Sequence, residues 1–227
     1  MKAIILAAGR GVRMMPLTAH TPKPLLKVNN RALIDYTLDL LPKEVSEVIV
    51  IINYLGDQIV AYLNKNYPNL KFKFVWQKDL TGTYTAVALA KEYLQGEKFL
   101  VLCSDDLYSK KAIVDLLKYD LGTVVKEAEH PERFGVVALK NGNEIESFEE
   151  KPVHPKSNLV NTGVHLLDSR IFNYPPEPHA NGEYYIVDAI TKMSKDFTSR
   201  AVRADFWLPI GYPEDLEKAE AVFKIHN

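Results

Sequence analysis

Four cations and no carboxylate stand in the stretch RGVRMMPLTAHTPKPLLKV, which follows the opening run MKAIILAAG. Gly9 and Gly11 frame its start, and Pro22 and Pro24 flank Lys23. Small residues let backbone N–H groups come close to an anion and cradle it. Arg13 can grip phosphate oxygens through a two-pronged guanidinium, while Lys23 offers a point charge. The two prolines restrict the backbone around that lysine. Six basic residues and no acidic one precede Asp35, so the first part of the chain is built for negative charge. A solvated surface turn has the same composition, so the loop taken alone leaves both readings open.

Two common phosphate motifs are excluded. A dinucleotide fingerprint needs a third glycine, but Gly9-Arg10-Gly11-Val12-Arg13-Met14 ends in methionine. A P-loop needs Gly-Lys-Ser/Thr opening a helix, and that triplet is missing. The six histidines show no H-E-x-x-H spacing for zinc, and no G-x-S-x-G marks a serine nucleophile. Further along, Gln77 ends the alternating run KFKFVWQ, where its amide could meet a base edge. Asp105 follows the apolar run KFLVLCS, a usual place for a metal carboxylate in an open sheet. Taken singly, these residues also fit an exposed strand end and a helix cap. Lys151 between Glu150 and Pro152 fits a surface ion pair, and Asn161 a turn.

The elements that must position these groups alternate between strand and helix. KAIILAA, EVIVIIN and KFLVLCS read as buried strands, and KFKFVWQ as a half-exposed one. RALIDYTLDLL, roughly Gly56–Asn66, and TAVALAKEYL have helical spacing. Apolar strands separated by helices indicate a mainly parallel sheet covered on both faces. After about Lys110 the pattern changes to the short strands GTVVKEAE, FGVVALK and EIESFEEKP, with the hairpin signal Asn141-Gly142 between the last two. VNTGVHLLD adds a strand, NYPPEPHANGEYY reads as a surface loop, and IVDAITKMSK and PEDLEKAEAVFK read as helices. The expectation is one domain over 1–227, with a nucleotide-facing half over about 1–110 and a second half over about 111–227.

At 227 residues the chain can bury a large core without disulfides or structural metal. Lys and Arg number 28 against 29 Asp and Glu, a net charge of −1 that offers no general attraction to nucleic acid or membrane. Cys103 is the only cysteine, so no intrachain disulfide can form, which suits a reducing cytoplasmic setting. The first apolar run stops at Gly9 and is too short to span a membrane.

The stretch LAAGRGVRMMPLTAHTPKPLLKV strongly resembles the N-terminal signature of sugar-1-phosphate nucleotidyltransferases: a strand, then G-x-G-x-R, P-L-T and a proline-flanked lysine. The resemblance runs along nearly the whole chain, through Gln77, Gly82-Thr83, Asp105, FGVV, EEKP, VNTGV and WLPIGYPEDLEKAE. It implies a three-layer, Rossmann-like α/β fold of the nucleotide-diphospho-sugar transferase type, with a mixed, mainly parallel sheet and a small β-hairpin lobe. It implies that Leu6, Ala8 and Gly9 line the base and ribose, that Gln77, Gly82 and Thr83 bind the nucleotide, and that Gly11, Arg13 and Lys23 hold the triphosphate. Gly135, Glu150 and Asn161 would contact the sugar and Lys151 its phosphate, with Arg13, Lys23 and Lys151 acting in catalysis. Asp105 would hold Mg²⁺.

The implied reaction joins a nucleoside triphosphate, UTP or dTTP by the Gln77–Gly82 pair, to a sugar-1-phosphate and releases pyrophosphate. Partners are those two substrates, with neither nucleic acid nor membrane, and homo-oligomer formation is left open. The chain resembles a short form of the family without the hexapeptide β-helix, so acetyltransferase activity is not expected of it. Three positions depart from the family pattern: Ser104 replaces Gly, Tyr84 replaces a small residue, and Pro209 stands where a second metal-binding Asp is usual. Asp106, Asp188 and Asp205 are unranked substitutes for that ligand. Pro209 and Tyr84 would also suit an alternative, a catalytically impaired regulatory subunit that binds nucleotide or sugar nucleotide. A cytidylyltransferase for a non-sugar phosphate is a further alternative, against which Glu150–Pro152 and Asn161–Gly163 weigh.

Overall fold

A computed structural model describes residues 1–94 and 96–225. In its first half the strands are β1 (Lys2–Ala7), β2 (Lys27–Val28), β3 (Arg31–Ala32), β4 (Glu47–Ile52), β5 (Phe72–Trp76), β6 (Phe99–Cys103) and β7 (Leu107–Tyr108). The second half adds β8 (Gly122–Glu127), β9 (Gly135–Lys140), β10 (Glu144–Glu150), β11 (Leu159–Leu167), β12 (Arg200–Arg203) and β13 (Trp207–Leu208). The helices are α1 (Leu33–Asp39), α2 (Gly56–Asn66), α3 (Thr83–Ala88), α4 (Lys110–Leu116), α5 (Ile186–Met193) and α6 (Pro213–Ile225).

Ala3, Ile4 and Ile5 are consecutive and all fully buried, which requires apolar cover on both faces of the strand. Ile4 joins Ile49, Ile51 and Val101 in the core beneath α3 and α5. Ile5 points the other way, with Val48 and Val50, toward Ile34 and Leu38 of α1 and Ile59 and Leu63 of α2. The period-two alternation of the strands thus builds the three-layer arrangement expected of the sequence. One nine-stranded sheet runs β5-β4-β1-β6-β11-β8-β12-β10-β9 through both halves of the chain. Its first four strands are parallel. Beyond β6 the neighbours turn antiparallel, apart from the parallel pair β8–β12, so the sheet is mixed.

From β1 the chain steps outward to β4 and β5, then returns to lay β6 on the other side of β1. That reversal between β1 and β6 is a topological switch point, and ligands bind beyond the carboxyl ends of the strands at such points. The loops after β1 and β6 flank it. They carry Gly9–Lys23 and Asp105.

Helix α2 has the expected bounds. The β9–β10 hairpin turns at Asn141 and Gly142, with φ of 47° and 89°, the left-handed pair that matches strand twist. This hairpin does not stand apart as a free lobe, since β10 meets β12 and β9 also meets β11. TAVALAKEYL is helical only to Ala88, and a separate single turn follows at Lys91–Tyr93. Among the described residues no helix is long and apolar enough to cross a membrane.

Candidate active site

Gly11 has φ 61°, and a Cβ there would lie 3.0 Å from Thr18 Cγ2 and 3.2 Å from Lys23 Cβ. Its carbonyl accepts from Met14 N and from Thr18 Oγ1, so the loop folds back on its own glycine. Only glycine combines that φ with that crowding. Gly9 has open space around it. Leu6 uses its carbonyl to accept from Ser104 N, which joins the end of β1 to the loop that bears Asp105. Ala8 is buried beside that junction.

Pro22 and Pro24 set Lys23 at the start of a single helical turn, and its ammonium reaches across the switch point to Asp105 Oδ2 at 2.5 Å. Burial works against the Lys23 charge, but Asp105, and Asp106 behind it, raise its pKa above the ordinary lysine value. Arg13 is exposed, with its guanidinium carbon 5.2 Å from the centre of the Tyr212 ring.

Gln77 is buried at 5% exposure, and its Nε2 donates to Gly82 O and Thr85 Oγ1, each at 3.2 Å. Because the Gly82 carbonyl can only accept, it fixes the amide orientation, and Oε1 meets no protein donor among the described residues. Gly82 has φ 108°, and a Cβ there would sit 2.4 Å from Tyr184 O. Tyr84 N donates to that same carbonyl, and Thr83 Oγ1 accepts from Ile186 N. Thr83 therefore braces α3 against α5. Tyr84 is half-buried against the same core.

In the second half, Gly135 and Glu150 are paired across β9–β10. A Cβ on Gly135 would lie 3.1 Å from Glu150 Oε2 and 3.9 Å from Asn161 Nδ2, so these three expected sugar contacts converge. Asn161 Oδ1 accepts from Gly163 N at 2.7 Å, and its Nδ2, which faces Gly135, has no protein acceptor among the described residues. Gly163 in turn packs on Cys103, where a Cβ would come within 2.8 Å of Sγ. That contact sets the polar cluster beside the end of β6, two residues before Asp105. Lys151 holds φ 43°, its N donates to Phe134 O, and its ammonium is 3.3 Å from Glu150 Oε1.

Of the candidate substitutes for a second metal ligand, Asp106 is the neighbour of Asp105. Burial and the Asp105 charge push its carboxyl up to about 7, against the pull of Lys23, Ile210 N and Trp207 Nε1. Its two oxygens accept from Trp207 Nε1 and Ile210 N, so Asp106 holds both sides of Pro209 in place. Asp188 pairs with His179, and Asp205 accepts from Ser109 Oγ. No group of three metal-binding side chains forms among the described residues. The donor set still fits a hard cation, because Mg²⁺ commonly takes one or two carboxylates and fills its shell with water and substrate phosphate.

Sequence reasoning missed the anchoring by Asp106, the brace from Thr85 to Gln77, and the meeting of Arg13 and Arg133 on Tyr212. All but the Thr85 bond join residues about eighty or more positions apart, so no local pattern signals them.

A mixed α/β sheet whose first four strands are parallel, with a cationic glycine loop and a carboxylate at its switch point, is an arrangement that suits nucleotide binding. The chain belongs to the nucleotidyl transferase family, whose model matches residues 2–224. It is 36% identical over 222 residues to the bifunctional protein GlmU of Methanocaldococcus jannaschii, covering 96% of this chain and 53% of that protein. The chain thus spans about half the length of its GlmU relatives. It is 30% identical to the UTP–glucose-1-phosphate uridylyltransferase AglF of Haloferax volcanii, over 97% of this chain and 95% of that one. A Bacillus anthracis structure described as a glucose-1-phosphate thymidylyltransferase, in complex with sucrose, superposes with a TM-score of 0.85 at 28% identity. It covers 98% of this chain and 94% of that one. A UDP-glucose pyrophosphorylase bound to UDP-glucose shares the fold, with a TM-score of 0.83 at 23% identity and essentially full coverage of both chains.

Proposed function

We propose that the chain transfers the nucleotidyl group of UTP or dTTP to a hexose-1-phosphate, giving an NDP-sugar and pyrophosphate. One observation supports this reading. Lys23, whose Cβ lies against Gly11, pairs with Asp105 at the switch point, and Gly163, two residues from Asn161 of the Gly135–Glu150 cluster, packs on Cys103 just before Asp105. In this reading residues over about 1–110 supply the nucleotide side and those over about 111–227 the sugar-phosphate side of a single domain.

The sugar phosphate is already an ionised nucleophile, so no protein base is needed. Its oxygen attacks the α-phosphorus, the bond from that phosphorus to the bridging oxygen breaks, and pyrophosphate carries the electron pair away. The protein's task is positioning and charge stabilisation. Lys151 aims the sugar phosphate, while Arg13 and Lys23 offset charge on the phosphates that leave. Leu6, Ala8 and Gly9 line the base and ribose, with Gly82 and Thr83 bordering the base. Mg²⁺, held by Asp105 and the substrate phosphates, would supply further charge neutralisation. Uracil and thymine carry an N3–H donor that cytosine lacks, and the acceptor Oε1 of Gln77 suits it. That preference argues against the cytidylyltransferase alternative.

The test crosses the common nucleoside triphosphates with glucose-, N-acetylglucosamine-, mannose- and galactose-1-phosphate in Mg²⁺, scoring pyrophosphate. Release with UTP or dTTP and one hexose phosphate is the expected result. Tight nucleotide binding with no release for any pair would overturn the enzyme reading in favour of a regulatory subunit.

A further inference from the structure

We propose that Arg133 is a second phosphate-binding arginine, and that it and Arg13, which share the Tyr212 ring, together hold the two phosphates that leave as pyrophosphate. This inference rests on the nucleotidyl-transfer reading above.

Both guanidinium carbons lie 5.2 Å from the centre of that one ring, so they are within about 10 Å of each other. They arrive from distant parts of the chain, Arg13 from the loop after β1 and Arg133 from the single turn Pro131–Arg133 that leads into β9. Arg31, Arg170, Arg200 and Arg203 each pair with a carboxylate. Arg13 and Arg133 meet none among the described residues. Asp215, on the same loop, makes its ion pair with Lys218 rather than with either arginine, and accepts from Gly211 N and Tyr212 N. An aromatic face attracts cations but removes no net charge, so two guanidiniums kept together this way form a site for a multiply charged anion.

The supports are fixed. Asp215 pins Tyr212 by its backbone N–H. Phe134, next to Arg133, packs edge-on at 5.1 Å against Trp207, whose indole N–H is held by Asp106. Phe134 O also accepts from Lys151 N, so Arg133 lies next in sequence to the residue that touches the backbone of the sugar-phosphate lysine. Pyrophosphate presents two phosphoryl groups, each able to take one guanidinium fork.

Calorimetric titration of inorganic pyrophosphate into the full chain tests this, alongside titration with glucose-1-phosphate. Arg133→Ala is expected to weaken pyrophosphate binding by about 10- to 100-fold, the loss of a charged hydrogen-bonding pair. Its glucose-1-phosphate affinity and melting temperature should stay near wild type. Arg133→Lys should recover part of the loss. Tyr212→Phe, which keeps the ring, should bind as wild type, whereas Tyr212→Leu should resemble Arg133→Ala. Unchanged pyrophosphate affinity in Arg133→Ala overturns the inference alone, as does an equal loss for glucose-1-phosphate. A wild-type chain that binds no pyrophosphate overturns both the inference and the transfer reading.

Discussion

Lys23 Nζ and Asp105 Oδ2 stand 2.5 Å apart although 82 positions separate the two residues in the chain. The pair closes the seam between the two loops that flank the switch point, and it holds Asp105 beside the Gly9–Lys23 loop. Asp105→Asn keeps the shape of the side chain and removes its charge. Turnover should fall by about 10²-fold or more, the scale of losing one preorganised electrostatic contact. Pyrophosphate release at saturating Mg²⁺ measures this, and unchanged turnover would remove Asp105 from the reaction.

Arg13→Ala should likewise lower turnover by on the order of 10²-fold. Arg13 is exposed and, among the described residues, is braced only by the Tyr212 ring, so the fold should be unaffected. A melting curve superposable on wild type, together with lost activity, is the expected combination.

Asn161→Ala removes the Nδ2 donor and frees the Gly163 N–H that Oδ1 accepts. The KM for sugar-1-phosphate should rise by roughly 10-fold, the worth of a hydrogen bond or two. The KM for the nucleoside triphosphate should stay put. A rise confined to the nucleotide would contradict the division of the site.

Gly82→Ala places a Cβ 2.4 Å from a backbone oxygen at a φ of 108°. Neither that oxygen nor the backbone can yield cheaply, so stability should drop by about 2–4 kcal/mol. Urea midpoints with an unchanged slope would measure it.

His165 is fully buried in β11, bonded to Thr123, and burial lowers its pKa to about 3. The unfolded chain protonates this residue near the ordinary value of about 6.5 while the folded chain does not, so stability is lost as pH falls from about 6.5 toward 3. Between about pH 6.5 and 4.5 the loss should be on the order of 2 kcal/mol, and His165→Gln should flatten it. Urea denaturation across that range is the measurement.

Much of this architecture is legible in residue order. Helix α2 and the Asn141-Gly142 turn are written in local spacing and left-handed turn chemistry, so a short window of sequence holds the whole signal. The run after Gly82 shows the limit. Its helical spacing continues past Ala88, but the helix stops there and a separate turn forms at Lys91–Tyr93. Periodicity does not mark that break. The glycine- and cation-bearing loop after β1 is legible because Gly11, Arg13, Pro22 and Lys23 are close neighbours in the chain. The Asp106–Ile210 bond lies beside the β7–β13 pair, and the Arg133–Tyr212 contact joins a turn before β9 to the loop before α6; nothing near either residue announces its partner.

The sharing of Tyr212 by Arg13 and Arg133 also bears on the order in which the chain can become competent. A nascent chain emerging from the ribosome has its Gly9–Lys23 loop early, and β1 can pair with β4 and β6 long before Tyr212 is made. The ring that braces Arg13 arrives nearly two hundred residues later, and contacts so remote in sequence are slow to close. The molecule would therefore pass through a period in which much of its sheet is formed while Arg13 still lacks the ring it shares with Arg133.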